Sequence, residues 1–569
     1  MIVIAIFGIR LFYVQVINYS HYKNAALSDQ LKQYQIPATR GLIEALDGNQ
    51  AVPIVLNQKL YTLYADPKYI KKPDQIAQKI VSVIGGNIST YVKYMTIPKL
   101  RYVILAKKLT KQQSNKILSF KIPGIGTQGQ DYRLYPEGSL ASQVLGFVNS
   151  NGQGEYGIEQ AMNKELAGTP GRVKAVTDAN GVPLAASKGN VEVPPVNGDN
   201  IVLTLNLGIQ AQLENILKKD YKSTKSQGLS AIVMDPYNGH IVAMANYPTY
   251  NPANYTNVTN PAIFENAAVT NAIEPGSVMK TLTTPAALNQ GVIKPNTTFY
   301  DPAHWIVDGF DIHDIKIDGG AREQNIASIL SLSLNTGAVW MLMQMGGGRI
   351  DKKGIDTWYN YMVNHYNLGK PTGIEQGYES AGYVPPPNMS DPSIDLRYAN
   401  TVFGQGVQLT ALQLAAADSS IINGGTYYKP TLVDEIIQPN GVVKINKPKV
   451  LIKNVVSPKV GADMIPLEEN VVKAYLHGGF GFMSFPPQYI VGGKTGTAQV
   501  AKPTGGYYKN IYNGTYTGFV GGNKPQYVVD VYNIRPGVQG YAGSFAGQPV
   551  FADIVHMLIN QGYVTPKTN

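Results

Sequence analysis

The chain has 569 residues, too many for one compact core, so two to four domains are expected. It holds no cysteine, which excludes disulfides, thiolate catalysis and thiolate metal sites. The net charge of +10 favours anionic surfaces such as phospholipid headgroups or cell-wall polymers. Its lysines are scattered, with no zinc-finger spacing and no RNP-type aromatic–glycine motif, so no nucleic-acid partner is expected.

Residues 1–17, MIVIAIFGIRLFYVQVI, are almost continuously apolar. They fall short of the ~20 residues of a membrane-spanning helix, and Arg10 interrupts them. No small-residue cleavage site follows, so the outer part of an anchor, its cytoplasmic start missing from the numbering, fits better than a removed signal peptide. A buried amphipathic helix is the alternative. Residues 18–195 read as an elongated, non-catalytic α+β pedestal. Alternation over 60–67 predicts a strand, and helices are expected over Pro73–Ile84 and 110–118, the first opened by Pro73 and closed by Gly85-Gly86.

The Pro/Gly-rich joint 191–198 sets a domain boundary, leaving 196–569 as the second domain. There, 207–221 has helical periodicity. Strands 230–235 and 240–246 flank Pro236-Tyr237-Asn238-Gly239, a hairpin turn by its chemistry. Further helices are expected over 323–345 and 408–422, strands over 489–500, 516–521 and 527–534, and a closing helix over 546–559. Together these predict an α+β domain whose mixed antiparallel sheet carries helices on both faces, early strands pairing with late ones.

Within this domain Glu274-Pro275-Gly276-Ser277-Val278-Met279-Lys280-Thr281 places a hydroxyl and an amine three residues apart, on one helix face. A serine hydroxyl is a weak nucleophile without an adjacent base. A lysine is that base only when burial or a neighbouring cation lowers its pKa. The pair alone says little, since Ser20 and Lys23 repeat the spacing just after the apolar segment. Two more motifs follow in order. Ser333-Leu334-Asn335 falls in an expected helix over 326–345. Lys494-Thr495-Gly496 falls on a strand, its glycine allowing close backbone approach. Gly-Lys-Thr also ends phosphate-binding loops, but such a loop needs a glycine where Gln488 stands, and a helix where the strand continues.

The order Ser-x-x-Lys, Ser-x-Asn, Lys-Thr-Gly is the motif set of penicillin-binding proteins and serine β-lactamases. With Arg10 to Val16, Arg40-Gly41, Arg133 to Gly138, Gly157-Ile158-Glu159, Gly404-Gln405-Gly406 and Thr410 to Leu414, nearly the whole chain resembles the class B penicillin-binding proteins. These are membrane-anchored D,D-transpeptidases of the bacterial cell wall. The resemblance implies Ser277 as nucleophile, Lys280 as its base and Ser333 as proton relay to the departing D-alanine. It implies Asn335 on the substrate amide; Lys494, Thr495, Gly496 and Thr497 around the terminal carboxylate; and an oxyanion hole from the backbone N–H groups of Ser277 and Thr497. Lys494 facing Lys280 would lower the pKa of each. No metal or cofactor is implied.

The implied setting is the bacterial cytoplasmic membrane, crossed once, with the catalytic domain extracytoplasmic. Implied partners are peptidoglycan stem peptides on a lipid-linked precursor, β-lactams as covalent inhibitors, and a polytopic glycosyltransferase. Three features favour the division branch over elongation: the compact pedestal, Gly157 to Glu159, and Gly404 to Leu414. A D,D-carboxypeptidase or β-lactamase, or a silent β-lactam-binding scaffold, are the other readings of the same motifs. No Glu-x-x-Leu-Asn lies between Ser333 and Lys494, so fast hydrolysis of an acyl-enzyme is not expected. Two departures stand out. Leu334 replaces the usual aspartate, which is harmless if it points into the core, and Glu44 to Asn49 replaces the usual Asp-Arg-Asn-Gly. Pro285 is expected to bend or end the Lys280 helix early. His304 and His313, among Asp301, Asp308, Asp311 and Asp314, read as a solvated loop rather than a metal site, and Tyr507, Tyr508, Tyr512 and Tyr516 as exposed loop aromatics rather than a groove wall.

Overall fold

A computed structural model of the chain describes residues 7–8, 10–20, 31–176, 191–314 and 320–568. Among these no helix is long and apolar enough to cross a membrane. Residues 1–6 and 9 of the expected anchor, and Lys23, lie outside the described residues.

In the pedestal, strand Gln50–Ala65 folds back on Ile43–Asp47 through Gly48, whose φ of 59° suits glycine. It also pairs antiparallel with Val103–Leu109 and Ile125–Leu134. Helix Pro73–Ile84 buries Ile76, Ala77 and Ile80, one turn apart, in a cluster with Leu63, Leu105 and Leu109 of the sheet. Helix Lys111–Ser119 starts on a capping box between Thr110 and Gln113 and adds Ile117 to that cluster. The sheet does not stop at residue 195. Asn200–Asn206 pairs in parallel with Ile43–Asp47 and antiparallel with Val433–Ile437, which pairs in turn with Val443–Ile445.

Three residues far apart in sequence lock this region. Glu159 is fully buried and accepts from Arg40 Nε at 2.7 Å and Arg133 Nε at 2.8 Å. Asn163 and Asn57 take one further N–H from each guanidinium. The site satisfies most of its polar groups, as a buried ion cluster must.

The second domain centres on a five-stranded sheet. Helix α1 (Leu207–Thr224) leads into β1 (Gly228–Met234) and β2 (Ile241–Tyr247). Helices α2 (Lys280–Asn289), α3 (Asn335–Met345), α4 (Ala411–Ile422) and α5 (Pro458–His477) follow. Strands β3 (Ile490–Ala501), β4 (Tyr507–Gly521) and β5 (Pro525–Ile534) and helix α6 (Gln548–Asn560) close the chain. The order is β2-β1-β5-β4-β3. Every pair is antiparallel, so the expected mixed sheet contains no parallel pair. The hairpins fix their own strands, and the long connection from β2 to β3 crosses from one edge of the sheet to the other, so that the closing β5 runs against β1. Along β1, Leu229, Ala231 and Val233 face α1 and α6, whereas Ile232 and Met234 join the larger core built on α2 and α4.

Candidate active site

Ser277 lies on a 3-10 turn, Gly276–Met279, and Lys280 begins α2 directly after it. Gly276 has φ 67°, and a Cβ there would sit 2.8 Å from Thr497 O and 2.9 Å from Thr497 N. Only glycine brings this turn so close to β3. The turn is clamped from both sides. Gly276 N donates to Gly404 O at 3.0 Å, and Thr515 Oγ1 to Pro275 O at 2.6 Å. Glu274 accepts from Gly406 N and from the Tyr507 hydroxyl. Contrary to expectation, α2 runs on through Pro285 to Asn289. Residues 280–288 are all buried, so packing rather than propensity holds the helix.

Lys280 is fully buried, with Nζ 2.9 Å from Ser277 Oγ, 2.9 Å from Ser333 O, 2.8 Å from Asn335 Oδ1 and 3.3 Å from Ser333 Oγ. Burial, then the charge of Lys494, hold its pKa well below the ordinary lysine range; Asp314 pulls weakly the other way. A neutral amine has two N–H groups and one lone pair. The acceptor-only oxygens Ser333 O and Asn335 Oδ1 take the two N–H groups, which leaves the lone pair for the Ser277 O–H.

The expected helix over 326–345 is broken. Ile326–Ser331 ends, Ser333 adopts φ 58°, and α3 restarts at Asn335. The left-handed residue turns both oxygens of Ser333 toward Lys280. Asp314 secures the restart, accepting from Asn335 N at 2.5 Å, Thr336 N at 3.1 Å and Thr336 Oγ1 at 2.6 Å. Leu334 is 3% exposed and packs into the core, so the usual aspartate has no role to lose there. In this structure the Asn335 amide N–H points to His313 O at 3.3 Å rather than into open space.

Across the cleft, Lys494 is fully buried on β3, its Nζ donating to Thr495 O at 3.0 Å and reaching Thr495 Oγ1 at 3.3 Å. The Tyr475 hydroxyl lies 2.8 Å from Thr495 Oγ1. Thr497 Oγ1 accepts from Gly543 N at 2.9 Å. A Cβ on Gly496 would stand 2.3 Å from Pro275 O, so the strand can lie against the Ser277 turn only with glycine here. Ser277, Ser333, Asn335, Thr495 and Thr497 all line one cleft of about 840 Å³. Lys280 and Lys494 are fully buried behind these lining residues, each hydrogen-bonded to one or more of them.

Other sequence candidates resolve differently. Among the described residues no group of three or more ligating side chains could hold a metal ion. The His/Asp segment is more than a solvated loop, since Asp301 and Asp308 each accept a backbone N–H and Asp314 enters the cleft. Of the tyrosines, Tyr512 lines the cleft and Tyr507 supports Glu274, whereas Tyr516 is buried and stacks on Phe551 at 4.1 Å. Asp314 and Tyr475 carry no motif signal. Each reaches the site from a separate element, and only the folded contacts reveal it.

The site's parts recur in known proteins. The model of the penicillin binding protein transpeptidase domain matches residues 229–556, and that of the penicillin-binding protein dimerisation domain matches residues 35–203. Stage V sporulation protein D of Bacillus subtilis is 30% identical over 576 residues, spanning 100% of this chain and 85% of that protein. Peptidoglycan D,D-transpeptidase FtsI of Escherichia coli is 25% identical over 548 residues, spanning 94% and 86%. The crystal structure of penicillin binding protein 2X from Streptococcus thermophilus shares the fold with a TM-score of 0.73 at 23% identity, covering 95% of this chain and 83% of that one. With both domains in this order and the motifs gathered in one cleft, the chain belongs to the penicillin-binding proteins of class B, those with a dimerisation domain ahead of the transpeptidase domain.

Proposed function

We propose that this protein is a serine-type peptidoglycan D,D-transpeptidase that cross-links stem peptides through an acyl-enzyme on Ser277. The observation that carries the reading is the fully buried Lys280 Nζ standing 2.9 Å from Ser277 Oγ, where burial and the charge of Lys494 hold its pKa well below the ordinary lysine range. In the forward step the Ser277 Oγ–H proton passes to Lys280 while Oγ attacks the carbonyl of a D-Ala-D-Ala peptide bond. The backbone N–H groups of Ser277 and Thr497 receive the oxyanion; one such donor lowers the barrier by ~2.7–4 kcal/mol. Collapse breaks the C–N bond, and the departing D-alanine nitrogen takes its proton from Lys280 by way of the Ser333 hydroxyl. An amine of a second stem then attacks the ester, giving its proton back along the same path and freeing Ser277. Lys494 attracts the terminal carboxylate, with Thr495, Thr497 and the bare backbone of Gly496 around it. Asn335 holds Lys280 and, by turning its N–H from His313 O, can bind the substrate amide.

β-Lactams acylate the same serine in this reading. The names of the relatives, FtsI among them, support a septal role. We read residues 18–195 as a pedestal and 196–569 as the catalytic domain, with residues 1–17 part of a membrane anchor. The pedestal would hold the cleft outside the cytoplasmic membrane, near lipid-linked peptidoglycan and a polytopic glycosyltransferase. The test supplies a donor peptide ending in D-Ala-D-Ala and an acceptor stem amine, and follows products by mass spectrometry. Cross-linked dimer with release of D-alanine is expected. Release of D-alanine with no dimer would instead make the protein a D,D-carboxypeptidase.

A further inference from the structure

Tyr475 stands in the last turn of α5, half-buried, its ring edge-on to Phe480 at 6.4 Å. Its hydroxyl is the meeting point of three groups: Thr495 Oγ1 at 2.8 Å, Lys494 Nζ at 3.4 Å and Thr495 N at 3.4 Å. Counting donors decides where the protons go. A hydroxyl has one O–H and two lone pairs. The Lys494 ammonium and the Thr495 N–H both point at the Tyr475 oxygen, so its lone pairs are occupied and its own proton must be donated. Among the described residues the acceptor at hand is Thr495 Oγ1. Thr495 Oγ1 accordingly accepts from Tyr475 and, at 3.3 Å, from Lys494. Both of its lone pairs are filled, and its single O–H is left to point away from them, into the cleft that it lines with Ser277 and Thr497. Each donated bond also polarises the next.

We infer that Tyr475 is a positioning residue that sets the Thr495 hydroxyl as a one-way donor, and so makes the cleft selective for substrates with a free terminal carboxylate. The inference rests on the proposed reading, in which Lys494 and Thr495 receive that carboxylate. Without the phenol O–H, Thr495 is free to donate back toward the protein, and the carboxylate loses a charge-assisted hydrogen bond in the bound state. The ring, the cleft walls and the Ser277–Lys280 pair stay in place in Tyr475→Phe.

The experiment follows covalent labelling of the full chain by benzylpenicillin and by its methyl ester, over a range of concentrations, for the wild type, Tyr475→Phe and Thr495→Val. For benzylpenicillin, Tyr475→Phe should raise the half-saturating concentration about tenfold, the scale of one hydrogen bond to a charged group. Its limiting rate should stay within about twofold. Thr495→Val should show the same acid-selective loss, and the double variant little more, because both remove one donor. The ester, which has no carboxylate, should react alike with wild type and Tyr475→Phe. Equal losses on acid and ester, or a fall in limiting rate alone, would overturn the inference while leaving the transpeptidase reading intact. A wild type that forms no adduct at all would overturn both.

Discussion

Behind the cleft three carboxyl groups are buried together: Asp418 on α4, Glu468 on α5 and Asp530 on β5. Lys494, Thr517 and Asp530 are cross-strand neighbours on one face of β3, β4 and β5, and Asp418 packs over Thr517 with Oδ2 accepting from its hydroxyl at 3.3 Å. Asp418 Oδ1 and both oxygens of Glu468 and Asp530 find no hydrogen-bond partner among the described residues. Burial raises all three pKa values: Asp418 from 3.8 to about 7, Glu468 and Asp530 well above the carboxylate range, with the charge of Asp418 adding to both. Below about pH 4 Asp418 is protonated in the folded and unfolded chain alike. From there to about pH 7 the unfolded chain releases a proton that the folded chain keeps, so stability falls as pH rises, and above that the loss is complete. At 1.36 kcal/mol per unit, a shift of about three units is worth about 4 kcal/mol. Asp418→Asn removes this titration, at the cost of placing an amide N–H₂ beside the other two carboxyls. Calorimetric unfolding of the wild type and the variant at pH 4 and pH 8 isolates the effect. The variant should gain about 4 kcal/mol relative to wild type on going from pH 4 to pH 8, whatever its offset at pH 4. An offset that is the same at both pH values would refute the reasoning.

Three further outcomes follow from other parts of the molecule. Glu159→Gln leaves Arg40 and Arg133 facing each other without their shared carboxylate, and should destabilise the pedestal by about 3–5 kcal/mol, read as a lowered unfolding transition. Asp314→Ala uncaps α3 and frees Asn335 and Thr336, so acylation by penicillin should slow by about tenfold or more while penicillin binding changes less. The pH profile of acylation should rise with loss of a proton from Lys280 well below the ordinary lysine pKa, and Lys494→Ala should move that limb to higher pH, since it removes a positive neighbour. A limb that stays put in Lys494→Ala would show that the two lysines do not sense one another.

Much of the site is legible along the chain because its chemistry is local. Ser277 and Lys280 share a turn, and Lys494 to Thr497 share a strand, so spacing alone sets their relation. The sheet is readable for the same reason, as period-two alternation and the Asn238-Gly239 turn are short-range signals. What escapes is set by distant partners. The break before α3 depends on Asp314, twenty-one residues upstream of Asn335, and on a left-handed Ser333 that no propensity favours. The start of β4 escapes too: it begins at Tyr507, where exposed polar residues hide the alternation, rather than at 516. Continuity of α2 through Pro285 depends on complete burial, which composition does not announce. Arg40, Arg133 and Glu159 each stand in the stretches that resemble the family, yet their union in one buried cluster appears only in three dimensions.

The central claim is a covalent bond on Ser277. Incubation with benzylpenicillin followed by peptide mapping places the adduct directly. The account predicts one stable penicilloyl group on the peptide containing Ser277, lost in Ser277→Ala and formed far more slowly in Lys280→Ala. An adduct that persists in Ser277→Ala, or that maps elsewhere in the chain, would contradict it.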